Sequence, residues 1–510
     1  MESSKAKICV SVCGEANEFR QSVARAAEIG DLIELRLDCL PEDNRESWPE
    51  LVGVTSLPII LTLRPDEQGG KANVSLKDRL KFWSSIENVQ ERVMFDVELD
   101  VISDALANEA LDTSRIICSH HQFEGEIADV ESVYECMVPQ PAAVLKIAVR
   151  ADDAIDCLAI FKLLERAKRE GRELIAIAMG QAGVMTRILG PSRGSFLTFG
   201  SLDDDTATAP GQLTARELRD VYRIDRINRQ TQIMGLIGHP VAHSISPQIH
   251  NAAFAGSDAD AVFIPFEVQN IDAFMGRMVR KATREIDWNV RGLSVTAPHK
   301  TAVIQHLDWL DPAAQEIGAV NTVVVTDDAL LGYNTDGPAF LETLSGRIDS
   351  FENLRCAVIG AGGAARGVVW ALKHAGAAVS LFVRNSAKAR SIGDDFQTAI
   401  HELAKTNFKE FDVVVNATPL GTRGAHQSDT PVQAEQLRGM RLAYDLVYNP
   451  LDTQFMREAK MAGCETIGGL EMLIAQAVAQ FKLWTGADPN VATMRAAAEK
   501  ALDDWLDHDS

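Results

Sequence analysis

AVLKIAV, residues 143–149, is an apolar run of strand length with one lysine, Lys146, set in its middle. Its Val and Ile content suits a strand, and seven residues are too few for a helix that must bury a whole face. Outward from it lie RIICSHH (115–121) and ELIAIAMG (173–180), then VMFDVEL (93–99), SFLTFG (195–200), PIILTLR (58–64), LIELRLD (32–38) and ICVSVC (8–13). Helix-length amphipathic stretches separate these runs, the pattern of repeated βα units. Eight such units in about 200 residues fit a compact (β/α)8 barrel, and periodicity alone leaves a doubly wound sheet open.

Polar side chains break into the apolar runs at Glu34, Arg36, Arg64, Asp96, Glu98, His121 and Lys146. A packed barrel interior avoids such groups, whereas the C-terminal ends of barrel strands form active sites, so these residues are expected to converge there. Lys146, flanked by Val144, Leu145, Ile147 and Ala148, is costly to bury unless paired or used. It reads either as half of a structural ion pair or as a desolvated amine near other cations, poised to attack a carbonyl. An ordinary lysine, with a pKa of about 10.4, is neutral about once in a few thousand molecules at pH 7, so the second reading needs help from the surroundings. His121 is placed to move protons to and from a ligand, or is simply hydrogen-bonded. Lysine and histidine on adjacent strands, with arginines on others, favour the chemical reading.

The chain has 510 residues, 46% hydrophobic and 24% charged, which is ordinary for a globular protein of two to four domains. No apolar run approaches the ~20 residues that span a bilayer, and residues 1–7 carry charges without the hydrophobic region of a signal peptide after them. The expected location is the cytoplasm. A net charge of −22 disfavours nucleic acid and anionic membranes as partners, so an anionic small molecule would need a local basic cluster. The eight cysteines show no metal-type spacing or compact framework and read as reduced core residues.

Through IELRLD, LTLRP, SHHQF, VLKIAV, TRILG and TAPGQ, residues 7 to about 222 resemble type I 3-dehydroquinate dehydratase. The resemblance implies that Lys146 forms an imine with the substrate ketone, that His121 is the general acid and base, and that the product is 3-dehydroshikimate. It further implies that Glu34, Arg36, Arg64, Arg187, Thr208 and Gln212 hold substrate hydroxyls and carboxylate, Arg187 through its planar fork. Two positions depart from the family pattern: Gln68 in RPDEQGG stands where Glu is common, and Thr208 where Ser is common.

The charged stretch DVYRIDRINRQTQ places a boundary near residues 223–230. After it, MGLIGHPVAHSISPQIHN reads as a strand, a turn and a helix start that presents Ser244 and Ser246, a setting for a polyhydroxylated or anionic ligand. Helix capping accounts for one serine but not for both. His239, His243 and His250 lack a completing ligand spacing, and no metal is expected. LSVTAPHK supplies Lys300, GAVNTVVV Asn321 and GYNTDG Asp336, and a lysine beside an aspartate can assist proton transfer to a carbonyl oxygen. In RCAVIGAGGAARGVVWALKHAG, a strand, a glycine turn and a helix fit G-x-G-x-x-A with Gly360, Gly362 and Ala365, the dinucleotide-binding fingerprint. The next strand ends in Arg384, with Lys388 nearby, rather than in the acid that binds a free ribose, which points to NADP(H).

With HSISP, SVTAPHK, GAVNT, GYNTDG, GAGGAAR, NATPLG, DLVYNP and GGLEMLIAQA, residues 231 to about 487 resemble shikimate dehydrogenase. The resemblance implies reduction of 3-dehydroshikimate with NADPH, Lys300 and Asp336 being the catalytic pair. Ser244, Ser246, Thr296, Asn321, Tyr448 and Gln476 would line the shikimate site. Gly360, Ala361, Gly362, Gly363, Ala364, Arg384, Asn385, Lys388, Thr418 and Gly469 would hold the cofactor. The expected α/β architecture is a barrel over 1–222, a linker over 223–230, a substrate domain over 231–345, a Rossmann domain over 346–469 and C-terminal helices over 470–510 that return to the substrate domain. An NAD-dependent quinate-oxidising fusion would keep most of these motifs, though Ser244 and Arg384 lean against it. A ligand sensor without turnover would tolerate loss of Lys146, His121, Lys300 or Asp336, and all four are present.

Overall fold

The computed structural model describes residues 5–14, 16–87, 89–106, 111–123, 129–404 and 406–507. The chain divides into two compact units, Met1–Ile233 with Pro240–Ala242 and Asp260–Asn289, and Met234–His239 with His243–Ala259 and Val290–Ser510.

The first unit is built on β1 (Ile8–Val12), β2 (Leu32–Arg36), β3 (Ile59–Thr62), β4 (Val93–Glu98), β5 (Ile116–Gln122), β6 (Val144–Arg150), β7 (Glu173–Met179) and β8 (Thr198–Ser201). They form one eight-stranded sheet in the order β7-β6-β5-β4-β3-β2-β1-β8, with parallel pairing from strand to strand. A parallel bridge between Leu174 and Ser195 brings the two ends together, so the barrel reading holds and the doubly wound alternative falls. Every residue of β2 is buried, as are all but Arg150 in β6, which is why these strands read as continuous apolar runs rather than alternating ones. Cys9, Leu32, Ile60, Ile117, Val144, Ile175 and Phe199 share a core cluster. Above it the strand ends carry the charged residues.

The charged segment at 223–230 is not a free tether. Ile224 and Ile227 are buried, and Ile224–Arg226 forms a short 3-10 turn, because isoleucines interleave its charges.

A second sheet comprises β9 (Gln232–Gly238), β10 (Ala261–Glu267), β11 (Val290–Val295), β12 (Trp309–Leu310), β13 (Thr322–Val325) and β14 (Leu330–Tyr333), in the order β10-β9-β11-β13-β14-β12. The third sheet comprises β15 (Arg355–Ile359), β16 (Ala378–Val383), β17 (Ala399–Glu402), β18 (Val413–Asn416), β19 (Leu442–Asp445) and β20 (Glu465–Ile467). Its order, β17-β16-β15-β18-β19-β20 with all neighbours parallel, is the doubly wound 3-2-1-4-5-6 arrangement, whose ligand crevice lies at the strand C-termini where the order reverses, here between β15 and β18. The helix Val491–Asp507 packs on the helix Ser246–Gly256 through a face that includes buried Met494, Ala498 and Leu502.

The cysteine reading needs correction. Cys13 and Cys39 form a disulfide, with Cα atoms 5.4 Å apart, and Cys136 is exposed. Cys13 follows β1 directly, and Leu37–Cys39 is a 3-10 turn after β2, so parallel pairing of β1 with β2 brings the two together across 26 residues of sequence. Spacing alone carried no sign of it.

Candidate active sites

At the C-terminal ends of the barrel strands lies a pocket. Glu34, Arg36, Arg64, His121, Lys146, Arg187, Thr208 and Gln212 all line it, while Asp96 and Glu98 lie buried behind them, paired with Lys146 and Arg64. Alternation along each strand explains why. Glu34 and Lys146 occupy inward positions, and the parallel register sets Ser119 beside Lys146 and His121 beside Ala148.

Lys146 Nζ donates to Asp96 Oδ2 at 2.8 Å, stands 3.7 Å from Glu34 Oε1, and lies 4.1 Å from the centre of the Phe199 ring. The nearest charged atoms are carboxylate oxygens, and the cation Arg64 shares the Asp96 carboxylate with Lys146. Both carboxylates are themselves braced. Ser11 and Thr62 hydroxyls donate to Glu34 at 2.6 and 2.8 Å, and Arg64 reaches Asp96 at 2.6 Å, Glu98 at 2.8 Å and Ser119 Oγ at 3.0 Å. Although burial works against its charge, Asp96 is held well below the usual carboxylate range by Arg64 and then Lys146.

Burial, reinforced by Arg64 and Lys146, pulls the half-buried His121 well below an ordinary histidine, so the imidazole is neutral at neutral pH. Its Nδ1 is buried without a hydrogen-bond partner. Arg187 has 2% of its surface exposed, forms no ion pair among the described residues, and is pushed down to about 10 by burial alone. Its Nε also lacks a partner, the mark of a cation prepared for an anionic ligand. Arg36 is instead gripped by Asp38 in a two-point pair at 2.9 and 2.7 Å. Thr208 donates through both its backbone N–H and its hydroxyl to Gln212 Oε1. Gln68 lines the cavity as well, its Oε1 buried and unbonded.

Sequence reasoning passed over Ser11 and Asp38. The alternation of ICVSV could have flagged Ser11 as inward-facing. Asp38 lies beyond the end of β2, in the 3-10 turn Leu37–Cys39.

In the second unit, Lys300 Nζ donates to Asp336 Oδ2 at 2.6 Å, while Asn321 Nδ2 donates to Asp336 Oδ1 at 2.8 Å and to Thr335 Oγ1 at 2.9 Å. Asp336 opens the helix Asp336–Ser345, where Asn334 Oδ1 accepts the first two N–H groups and fixes the carboxylate's approach. The expected catalytic pair is thus in contact. Ser244 Oγ accepts from Ser246 N–H at 3.2 Å and lies 3.1 Å from Ser246 Oγ, and the Tyr448 side chain lies near Ser244. No side-chain hydrogen bond among the described residues joins Thr296 to either group. Gln476 turns back on its own helix, donating to Leu473 O at 2.7 Å. Gln480, one turn on and absent from the sequence reading, reaches the Asn321 carbonyl, Ser294 and Thr322 instead.

The glycine turn between β15 and the helix Gly363–His374 has the form a dinucleotide needs. Gly360 has φ 117°, and a Cβ there would stand 2.8 Å from Ala417 O and 3.1 Å from Thr418 Cγ2. Nothing lies within 4 Å of the Cβ position of Gly362, so backbone N–H groups face open space at a helix N-terminus. The stem of Lys300 comes within 3.4 Å of the corresponding point on Gly363, which sets the proton-handling pair beside this turn. Ala361 and Ala364 flank it half-buried, Thr418 is tied by its N–H and hydroxyl to Asn416 Oδ1, and Gly469 begins the helix Gly469–Thr485 against Leu446 O. Arg384 and Lys388 stand exposed after β16 with no ion pair among the described residues, and Asn385 Oδ1 caps Ala387 N–H between them. These residues fit a phosphorylated dinucleotide: an open cradle for the pyrophosphate and two unpaired cations near the adenosine ribose position. Among the described residues no cluster of three or more His, Cys, Asp or Glu side chains could hold a metal ion, and no helix is long and apolar enough to cross a membrane.

Comparison with known proteins accords with both halves. Residues 8–229 match the type I 3-dehydroquinase family, residues 236–323 the shikimate dehydrogenase substrate-binding domain, and residues 469–499 the shikimate 5'-dehydrogenase C-terminal domain. The bifunctional 3-dehydroquinate dehydratase/shikimate dehydrogenase of Arabidopsis thaliana, a chloroplastic protein, is 31% identical over 94% of this chain and 82% of its own. The shikimate biosynthesis protein AroDE of Chlamydia pneumoniae is 29% identical over 94% of this chain and 95% of its own. The NADP(+) shikimate dehydrogenase of Moorella thermoacetica is 38% identical over 54% of this chain and 96% of its own. With a match of that identity running through both catalytic halves, the chain belongs to the family of bifunctional 3-dehydroquinate dehydratase/shikimate dehydrogenases.

Proposed function

We propose that the chain dehydrates 3-dehydroquinate to 3-dehydroshikimate at the barrel mouth and reduces that product to shikimate in its second half, with NADPH as reductant. The observation that carries this reading is the seating of the two lysines. Lys146 is buried at the barrel-mouth pocket with the neutral His121, and Lys300 is paired to Asp336 beside the glycine turn.

In the first reaction the Lys146 amine attacks the substrate ketone carbon, and loss of water gives an imine. The imine acidifies the adjacent C–H, His121 takes that proton, and it returns a proton to the departing hydroxyl, which leaves as water. Hydrolysis of the imine consumes the water released on its formation and frees Lys146, so the net change is loss of one water. Arg187, without an internal partner, receives the substrate carboxylate. Glu34, Arg36, Arg64, Thr208 and Gln212 hold its hydroxyls or fix the groups that do. Lys146 must surrender a proton before attack, and the neutral His121 imidazole is in the right state to accept one.

In the second reaction NADPH, when bound, supplies a hydride to the ketone carbon. Lys300 gives a proton to the ketone oxygen as charge develops on it, and Asp336, held by Asn321, orients the amine and balances its charge. Ser244, Ser246, Thr296, Asn321, Tyr448 and Gln476 bind the substrate. Gly360, Ala361, Gly362, Gly363 and Ala364 would hold the pyrophosphate, Arg384, Asn385 and Lys388 the 2′-phosphate, and Thr418 and Gly469 would take part in holding the cofactor.

The boundaries 1–222, 223–230, 231–345, 346–469 and 470–510 belong to the same proposal, as does the absence of a nucleic-acid partner, which the charge of −22 supports. A cytoplasmic location is proposed on the same footing. The Cys13–Cys39 bond counts against a strongly reducing compartment, and fractionation of the native source decides between them.

The test is one reaction: purified protein given 3-dehydroquinate with NADPH or NADH, followed by cofactor oxidation and shikimate formation. Shikimate with NADPH preference is expected. Saturable binding of 3-dehydroquinate or shikimate without turnover would replace the enzyme reading with that of a sensor.

A further inference from the structure

β18 and β19 lie side by side and each ends in a buried polar residue, Asn416 and Asp445, which are register partners. The Asp445 carboxylate accepts three side-chain or backbone donors from separate places. Asn416 Nδ2 reaches Oδ1 at 2.9 Å, Val447 N–H reaches Oδ1 at 3.0 Å, and the Thr453 hydroxyl reaches Oδ2 at 2.5 Å. No ionised group contributes to its environment, and burial pushes its carboxyl up to about 6. A charge placed here without a counter-ion costs stability, so its presence asks for a use.

The loops it fastens lead in two directions. Through Asn416, whose Oδ1 also holds Thr418 N–H and hydroxyl, it fixes the loop after β18, and Thr418 packs on the Gly360 turn. Through Val447 and Thr453 it fixes the loop after β19, which carries Tyr448 to the neighbourhood of Ser244. A further tie joins the loops directly, from Arg423 N–H to Asn449 O at 2.9 Å.

We infer that Asp445 is a positioning residue of the reductase, one carboxylate that sets the loop at the dinucleotide turn and the loop at the substrate serine at a fixed spacing. It touches neither ligand and acts through Thr418 and Tyr448. The inference rests on the dehydrogenase reading above.

Binding titrations of the full chain at pH 8, with NADPH followed by fluorescence and shikimate by calorimetry, test it. In Asp445→Asn, loss of a charge-assisted acceptor is expected to raise both Kd values by about tenfold. In Asn416→Ala, which releases the Thr418 loop but leaves the Val447 and Thr453 bonds, NADPH binding alone should weaken by about that factor. Dehydratase activity of the same chains is the internal control and should not change. Wild-type Kd values for both ligands in folded Asp445→Asn, even with a lowered Tm, would reduce the residue to a structural role and overturn the inference. Equal weakening of both ligands in Asn416→Ala would overturn it too, and that variant decides alone if Asp445→Asn does not fold. A wild-type chain that binds neither ligand would refute the dehydrogenase reading itself, and this inference with it.

Discussion

A nucleophilic lysine must give up a proton, and Lys146 is flanked by Asp96 at 2.8 Å and Glu34 at 3.7 Å. The pair makes sense as storage of a correctly aimed amine until a ketone arrives. Lys146→Ala is expected to abolish dehydration of 3-dehydroquinate while shikimate oxidation continues at the wild-type rate, both read from the same preparation. Retained dehydration would sink the imine route. At the other site, Arg384→Ala should cost NADPH about 1.5 to 3 kcal/mol of binding, roughly ten- to hundredfold in Kd, and leave NADH nearly unchanged. Equal effects on the two cofactors would remove the case for 2′-phosphate recognition.

Among the elements, the turn between β15 and its helix has the least tolerance. Gly360→Ala would put a methyl 2.8 Å from Ala417 O at a positive φ, so NADPH affinity should drop severalfold while dehydration is untouched. The helix Ser246–Gly256 carries a different liability. His250, fully buried against Trp484, is pulled down to about 3 by burial. Its folded pKa is depressed, so the unfolded chain binds the extra proton between about pH 6.5 and 3, and stability is lost as pH falls through that window. The loss should reach about 2 to 3 kcal/mol by pH 4.5, and His250→Gln should flatten the dependence of Tm on pH for the dehydrogenase half. An unchanged slope would mean that another group governs acid unfolding. These elements also mark what could be read in advance. Barrel strands buried on both faces show themselves as apolar runs, and charges inside such runs announce the site, which is how Glu34, Arg64 and Lys146 were found. Asp445 escaped because an acid at a strand end looks like the start of any loop, and its partners at Asn416 and Thr453 are fixed by strand order. Gln480 was not legible because helical phase in an apolar helix does not say which polar side chain reaches a neighbouring carbonyl.

At the scale of the molecule, each candidate site is complete within one compact unit, the barrel residues within Met1–Ile233 and Lys300, Asp336 and the glycine turn within the second unit. Chains disabled at different sites should therefore complement each other. A mixture of Lys146→Ala and Lys300→Met proteins, each unable to convert 3-dehydroquinate to shikimate, should do so together, with a lag that shortens as protein concentration rises. Failure to complement would mean that the intermediate does not pass between molecules. The Cys13–Cys39 bond has a consequence confined to the first unit. It closes a covalent loop across 26 residues of sequence, from the end of β1 to just beyond β2. In the unfolded chain such a ring forbids most of the shapes that segment would otherwise explore, a loss of entropy worth about 3 to 4 kcal/mol to the folded barrel. Adding a reductant gives those shapes back to the barrel's unfolded ensemble and to no other part of the chain. Dehydratase activity should then fail on heating about 10 °C sooner while reduction of 3-dehydroshikimate fails where it did before.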